Sequence, residues 1–309
     1  MNSIEEDNFV KLYKYKFETP NPSYIAGFID GDGCIFIRKI KDGYQSGISL
    51  AQSRTNILQI VRYHFGGTIT SSTKRNSNVD NLMNDNYYHK HNKRNQYNLI
   101  IRSNEYEIIL KYIKNHLIIK RKQLDCLNHF INIVNKPNKK EEKEICHTLC
   151  AQYNKNTVID DTYLYALNIE YIQGLFDAEG CIYINKNLKK YRISIAQKNY
   201  PTILIGIQKL LGFGIVKEKE YKFYIYSKKE CLKFINLIKP GSIVKYNQLI
   251  AFEVFLNTND IIIREQIYKL TNEEKHKTEN FNDLNNNETN KCGYNNRLNY
   301  NNVMKELKS

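Results

Sequence analysis

The stretch IAGFIDGDG, Ile25 to Gly33, has a counterpart in IQGLFDAEG, Ile172 to Gly180. Aligned without gaps, both have Gly at the third position, an apolar pair after it and Asp at the sixth. A small residue stands at the seventh, an acid at the eighth and Gly at the ninth. Tyr24, Ile25, Phe28 and Ile29 recur at helical spacing, as do Tyr171, Ile172, Leu175 and Phe176. Gly27 and Gly31 lie four apart on one face, as do Gly174 and Ala178, and small residues at that spacing let two helix backbones approach closely. Gly33 and Gly180 suit the C′ position that ends a helix. Asp32 and Glu179 then fall in the last turn, where the helix dipole disfavours a carboxylate. Packing the two helices side by side also brings the two acids together, and like charges repel unless a cation lies between them. The pair therefore reads as a divalent metal site, set against the plainer reading of a packing motif that ends in acids.

The two acids lie 147 positions apart, about one domain length, in a chain of 309 residues. The apolar fraction is 41%, with 24 Tyr, 13 Phe and no Trp, enough for a core in each half. A formal net charge of +14 points to a polyanionic partner, most simply nucleic acid. No apolar run approaches a membrane span. The seven cysteines show no CxxC pair and no zinc-finger spacing, so they read as reduced thiols; Cys146 and Cys150, near His147, read as packing. The first residues lack an apolar h-region and are not Arg-rich, unlike a signal or transit peptide.

Read in order, residues 1–20 form a leader outside the core, and Asn21-Pro22-Ser23 starts a helix with Ser23 as N-cap. Strands follow at Cys34–Ile40 and Gly47–Ser53 around the turn Lys41-Asp42-Gly43. A helix at Thr55–Phe65 ends at Gly66-Gly67, and Thr68–Ser72 and Gln96–Arg102 form a second hairpin around a polar insert, residues 73–95. Helices follow at Glu105–His116, Lys120–Val134 and Lys139–Tyr153. After a linker at 154–162, the order returns: the second motif, strands Cys181–Asn187 and Tyr191–Lys198, and helix Pro201–Leu211. The hairpin Gly214–Lys219 with Lys222–Ser227 comes next, then helices at Lys229–Ile238, Lys245–Leu256 and Asn272–Asn280. The fold class is α+β: two tandem αββαββα repeats, at 21–153 and 163–280, each with a four-stranded antiparallel sheet. The tail, 281–309, is Asn-rich and poor in apolar residues, the composition of disorder.

Polar residues also repeat. SLAQS around Gln52 matches SIAQK around Gln197, each at the end of a second strand. Lys120-Arg-Lys-Gln123 matches Lys245-Tyr-Asn-Gln248, each opening a helix, and Ser103 corresponds to Ser227. Shared hydrophobic patterning does not explain such matches. With the two nine-residue motifs, they make the chain resemble the LAGLIDADG homing endonucleases, in the single-chain form that carries two motifs. The resemblance runs from Pro22 to Asn280, with departures at Gln173, where the family usually has Ala, and at Phe176.

The resemblance implies a pseudo-two-fold, saddle-shaped, monomeric enzyme that cuts both strands of a long specific DNA site. It implies that the carbonyls of Gly31 and Ala178 help Asp32 and Glu179 hold the metal. It also implies that Gln52, Gln197, Lys120 and Lys245 surround that site, with Lys122 as the alternative to Lys120. Magnesium suits such oxygen ligands, and the glutamines would orient water while the lysines stabilise charge on phosphate. Recognition would fall to the sheets, since a β-ribbon fits the major groove. With Ile182, Ile184, Ile193 and Ile195 inward, Tyr183, Asn185, Asn187, Arg192 and Ser194 face outward. Lys217, Lys219, Lys222 and Tyr224 decorate the next hairpin, and Arg38, Gln45 and Ser49 are the first-half candidates. The same basic faces would serve an intron RNA splicing cofactor or a non-catalytic DNA-binding protein. Abundant Asn, Lys, Ile and Tyr, whose codons are A/T-rich, together with the family's frequent residence in organelle introns, make an organelle the expected setting, a mitochondrion ahead of a plastid.

Overall fold

Pro22 opens the first motif helix, α1 (Pro22–Asp32), and Asn168 caps its partner, α6 (Ile169–Glu179). Both are apolar nearly all round, so each must be buried on every side. A computed structural model describes residues 18–53, 55–72, 96–102, 105–155 and 160–276. In it α1 and α6 lie against each other. A Cβ added at Gly27 would meet the Tyr171 carbonyl oxygen at 2.1 Å, and one at Gly174 would meet that of Tyr24 at 1.9 Å. One at Gly31 would meet the Ala178 Cβ at 2.3 Å. Each helix backbone is thus the wall against which the other packs, and only small residues fit.

Each motif helix feeds a sheet. In the first half, β1 (Gly33–Ile40) and β2 (Gly43–Gln52) form a hairpin, followed by α2 (Asn56–Phe65), β3 (Thr68–Ser72), β4 (Gln96–Arg102) and α3 (Tyr106–Ile113). In the second, β5 (Gly180–Ile184) pairs with β6 (Tyr191–Ala196), followed by α7 (Thr202–Leu211), β7 (Ile215–Lys217), β8 (Lys222–Ile225) and α8 (Lys228–Ile238). The sheets have the same antiparallel topology, orders β1-β2-β4-β3 and β5-β6-β8-β7. Helices α4 (Arg121–Ile133) and α5 (Lys140–Lys155) complete the first half, and α9 (Tyr246–Asn257) and α10 (Ile261–His276) the second. Both halves share a continuous apolar core, with Ile35, Ile48, Leu50 and Leu99 on one sheet and Ile182, Ile193, Ile195 and Phe223 on the other.

Several expectations are corrected. Asn21, not Ser23, caps α1: its Oδ1 accepts from the Ser23 amide at 2.8 Å. The Ser23 hydroxyl is taken by His116 Nδ1 at 2.8 Å and by the Asn168 amide at 3.0 Å. Gly33 and Gly180 do end their helices as expected, in extended backbone, φ −87° and −73°. Their reason is space, since a Cβ would strike the carbonyl of Ile29 or Phe176. Of the expected leader only residues 18–20 are described; there Tyr112 donates to the Pro20 carbonyl at 2.8 Å, and Thr19 bonds His64 at 3.3 Å. β5 ends at Ile184, three residues early, where Asn185 accepts from the Lys190 amide and turns the chain. The last helix, α10, starts at Ile261 rather than Asn272. The expectations on residues 1–17, 73–95, 103, 156–159 and 277–309 lie outside the described residues.

Cys146 and Cys150 are buried on α5, and Cys150 reaches the Ile35 carbonyl of β1 at 3.5 Å, a packing role. The two motif departures are accommodated. The Gln173 amide donates to the Leu237 carbonyl at 2.9 Å, and Phe176 packs edge-on against Phe234. No helix among the described residues is long and apolar enough to cross a membrane.

Candidate active site and nucleic-acid interface

Asp32 and Glu179 are the last residues of α1 and α6. Because the helices touch through Gly31 and Ala178, the acids end side by side: a Cβ on Gly31 would lie 3.2 Å from Glu179 Cγ. Burial raises the pKa of both carboxyls, and the Asp32 charge raises that of Glu179 further. Lys245 and Lys120 pull Asp32 back down, as does a hydrogen bond from the Gln52 side chain.

The lysines occupy matching places just before α4 and α9, and each turns its ammonium onto the C-terminal carbonyls of a motif helix. Lys120 Nζ donates to Ile29 O at 2.9 Å, Asp30 O at 2.5 Å and Gly31 O at 3.3 Å. Lys245 Nζ donates to Asp177 O and, at 3.4 Å, to Ala178 O. A cation at a helix C-terminus offsets the dipole that the neighbouring acid opposes. Burial lowers the pKa of Lys120, while Asp30 and the two site acids hold it up. The alternative, Lys122, points elsewhere and pairs with Asp160 at 3.0 Å.

Two buried aspartates, not singled out by the sequence reasoning, hold these lysines in place. Asp30 is 1% exposed and Asp177 0%. Asp30 accepts from the amides of Ile118, Ile119 and Lys120 at 2.8–2.9 Å, and Asp177 from those of Ile243, Val244 and Lys245 at 2.6–3.0 Å. Each also accepts a tyrosine hydroxyl from the opposite half: Tyr171 to Asp30 at 2.6 Å and Tyr24 to Asp177 at 2.7 Å. The signal was present in the sequence, as an acid at the sixth position of both motifs, directly after an apolar pair. Such an acid must be paired or hydrogen-bonded where it is buried.

The glutamines diverge. Gln52 reaches Asp32, whereas Gln197 Oε1 accepts from the Asn199 amide at 3.1 Å and shapes the turn after β6.

On the sheets, strand register puts most of the proposed contact residues on the faces away from the core. Arg38 and Gln45 are paired across β1 and β2, and Ser49 lies further along the same face. In the second sheet Tyr183 pairs with Arg192, Ser194 with Tyr224, and Lys217 with Lys222. There the Arg192 guanidinium lies 4.4 Å from the Tyr183 ring centre and 5.6 Å from that of Tyr224, and Lys217 lies 5.2 Å from Tyr224. Among the described residues the first sheet has the single pair Arg38 and Phe36, at 4.5 Å. Lys219 is not on a strand but in a 3-10 turn, Glu218–Glu220. Asn185 and Asn187 are in the β5–β6 turn, bonded to each other. Tyr224 and Ser194 are on the outward face but buried, 4% and 8% exposed, because neighbouring side chains cover them.

Comparison with known proteins places the chain in a family. The sequence pattern of the family described as LAGLIDADG endonuclease matches residues 25–134 and 172–246. The chain belongs to the LAGLIDADG endonuclease family. A curated relative, a probable intron-encoded endonuclease aI2 of Debaryomyces hansenii, is 23% identical over 278 residues, 82% of this chain. This chain spans only 36% of that relative's length. Among solved LAGLIDADG folds, the meganuclease I-AabMI bound to uncleaved DNA matches with a TM-score of 0.60, at 17% identity over 84% of this chain and 99% of its own. I-SmaMI, bound to an uncleaved DNA target in the presence of calcium ions, matches with a TM-score of 0.60, at 14% identity over 83% of this chain and 99% of its own.

Proposed function

We propose that this chain is a site-specific double-strand DNA endonuclease that hydrolyses phosphodiester bonds with a bound divalent cation, magnesium being the cation of choice. The observation that carries the reading is one acid from each half, Asp32 and Glu179, at the ends of two helices in backbone contact. A site for a hard cation fits the donors present: two carboxylates and the carbonyls of Gly31 and Ala178, all oxygen. Those carbonyls accept from Lys120 and Lys245, and a carbonyl with two lone pairs has room for a second partner. Among the described residues no group of three or more His, Cys, Asp or Glu could hold a metal, so water and substrate phosphate would supply the remaining ligands, as magnesium sites allow. The calcium in the I-SmaMI complex is consistent with this preference.

When bound, the cation supplies neutralisation of phosphate charge and an acidified water. The chain does the rest. The ammonium groups of Lys120 and Lys245 offset part of the burial that raises the pKa of Asp32 and Glu179. Lys120 and Lys245 lie at the helix ends where they can stabilise charge developing on a phosphate. Gln52 orients Asp32 and, with Gln197, would direct a water. Arg38, Gln45 and Ser49 on one sheet, and Tyr183, Arg192 and Lys222 on the other, face a duplex laid across both, with phosphate contacts setting register and base edges setting specificity. One chain provides both acids, so a monomer suffices. The intron-encoded relative supports a gene carried in a mobile intron, and the A/T-biased composition supports a mitochondrion over a plastid.

The test is a supercoiled plasmid carrying the joined sequences that flank the gene's own intron. Magnesium-dependent linearisation, stopped by a chelator, is expected. No cutting of that site, together with protein-stimulated splicing of the intron, would replace the nuclease reading with that of a splicing cofactor.

A further inference from the structure

We infer that Tyr24 and Tyr171 are positioning residues that set the opposite half's lysine segment, so that neither half establishes its own active geometry alone. The inference rests on the nuclease reading for its strand-cutting arm, and on geometry alone for its exchange arm. Each tyrosine precedes its own motif aspartate by six residues, yet bonds the aspartate of the other motif: Tyr24 to Asp177 and Tyr171 to Asp30. Each aspartate in turn collects three consecutive backbone amides, ending with that of the lysine. The chain of contacts is therefore crossed: Tyr24 acts through Asp177 on Lys245, and Tyr171 through Asp30 on Lys120. All four side chains are buried, so no water replaces a lost hydroxyl. One difference between the two crossings lies in the support of the aspartates. Ser242 donates a further hydrogen bond to Asp177 at 2.5 Å, while its counterpart three residues before Lys120 is Leu117. Asp30 leans harder on its tyrosine, and the Tyr171 crossing is the more sensitive.

Tyr24→Phe and Tyr171→Phe keep the rings that pack the interface and remove only the hydroxyls. On a target labelled separately on each strand, Lys120→Met and Lys245→Met identify the strand that each lysine serves. Tyr24→Phe is expected to slow the Lys245 strand by about tenfold and the other by less than about twofold, and Tyr171→Phe to do the reverse with a larger ratio. Equal slowing of both strands, or a bias toward the lysine of the tyrosine's own half, would overturn the inference. On the same proteins without DNA, amide hydrogen exchange should rise at Ile243–Lys245 in Tyr24→Phe and at Ile118–Lys120 in Tyr171→Phe, about tenfold above the uncrossed segment. Equal exchange in both segments overturns the inference whatever the chain cuts. Crossed exchange in the two variants, with a wild type that cuts nothing, upholds it and removes the nuclease reading instead.

Discussion

The two halves agree at the axis and differ at the rim. At the axis the parts correspond one to one: Tyr24 and Tyr171, Asp30 and Asp177, Asp32 and Glu179, Lys120 and Lys245. Away from it they diverge. Gln52 touches its acid while Gln197 closes a turn. The second sheet carries a run of stacked aromatic and cationic side chains, and the first, among the described residues, a single such pair. The contrast has a physical cause. Each motif helix is the other's packing surface, so a change in one must be matched in its partner. Among the described residues the outer sheet faces are not each other's packing surface, so the two sheets are free to differ.

The first way to break this comparison is to crowd the axis. Gly27→Ala and Gly174→Ala each place a Cβ about 2 Å from a backbone oxygen that has no room to move, with nearest distances of 2.1 and 1.9 Å. Each is expected to cost roughly 3–5 kcal/mol, as measured by chemical denaturation, and equal losses would mark the axis as symmetric. Gly31→Ala instead meets the Ala178 Cβ, so Ala178→Gly should restore most of the lost stability in the double mutant. At the rim, Arg192→Ala should weaken target binding about tenfold and reduce the salt slope by about 1, because the ring-stacked guanidinium is preorganised. Arg38→Ala, which loses one ring contact, should cost about threefold in the same filter-binding or anisotropy titration. Equal losses would erase the difference between the sheets. A smaller effect separates the glutamines: Gln52→Ala should lower the single-turnover cleavage rate about tenfold and Gln197→Ala about twofold.

The smallest expected effect is on stability against pH. Burial raises the folded-state pKa of Asp32 and Glu179, so the folded chain holds their protons more tightly than the unfolded chain does. Their cost to stability is therefore present at neutral pH and is relieved as pH falls through the raised folded values toward the ordinary carboxylate range. Asp32→Asn and Glu179→Gln should each melt about 2–4 °C above wild type at neutral pH, with the gap closing in acid. The double mutant should gain less than the sum, since removing either acid already removes their repulsion. A wild-type chain that melts higher than both at neutral pH would show the acids to be stabilising and the reading of their environment wrong.

Much of this was legible from the sequence, because period and duplication act locally. The apolar spacing around Gly27 and Gly174 specifies helices that touch, and alternation along Ile35, Ile37 and Ile182, Ile184 specifies which sheet face is buried. What was missed depends on contacts distant in sequence. Ser23 and Asn21 are equally good caps until His116 and Asn168 claim the Ser23 hydroxyl. The tyrosines read as apolar helix positions, because a hydroxyl's partner across an interface leaves no periodic trace. Tyr224 lies on the expected face but under Arg192, Lys217 and Tyr226, a fact about side-chain stacking that alternation cannot reveal. The start of α10 was obscured because Ile261–Ile263 is an unbroken apolar run without helical spacing.

The central claim is that two acids, one from each half, make one shared centre. It is tested most directly by incubating wild type, Asp32→Asn and Glu179→Gln with magnesium and the supercoiled target plasmid, alongside a binding titration on the same DNA. The account predicts linear product from wild type, uncut plasmid from both mutants and undiminished binding by all three, because the exchanges are nearly isosteric and binding rests on the basic sheet faces. Nicked plasmid from each mutant would mean that the acids serve separate strands. Full linearisation by either mutant at the wild-type rate would remove that acid from the chemistry and leave it a packing residue.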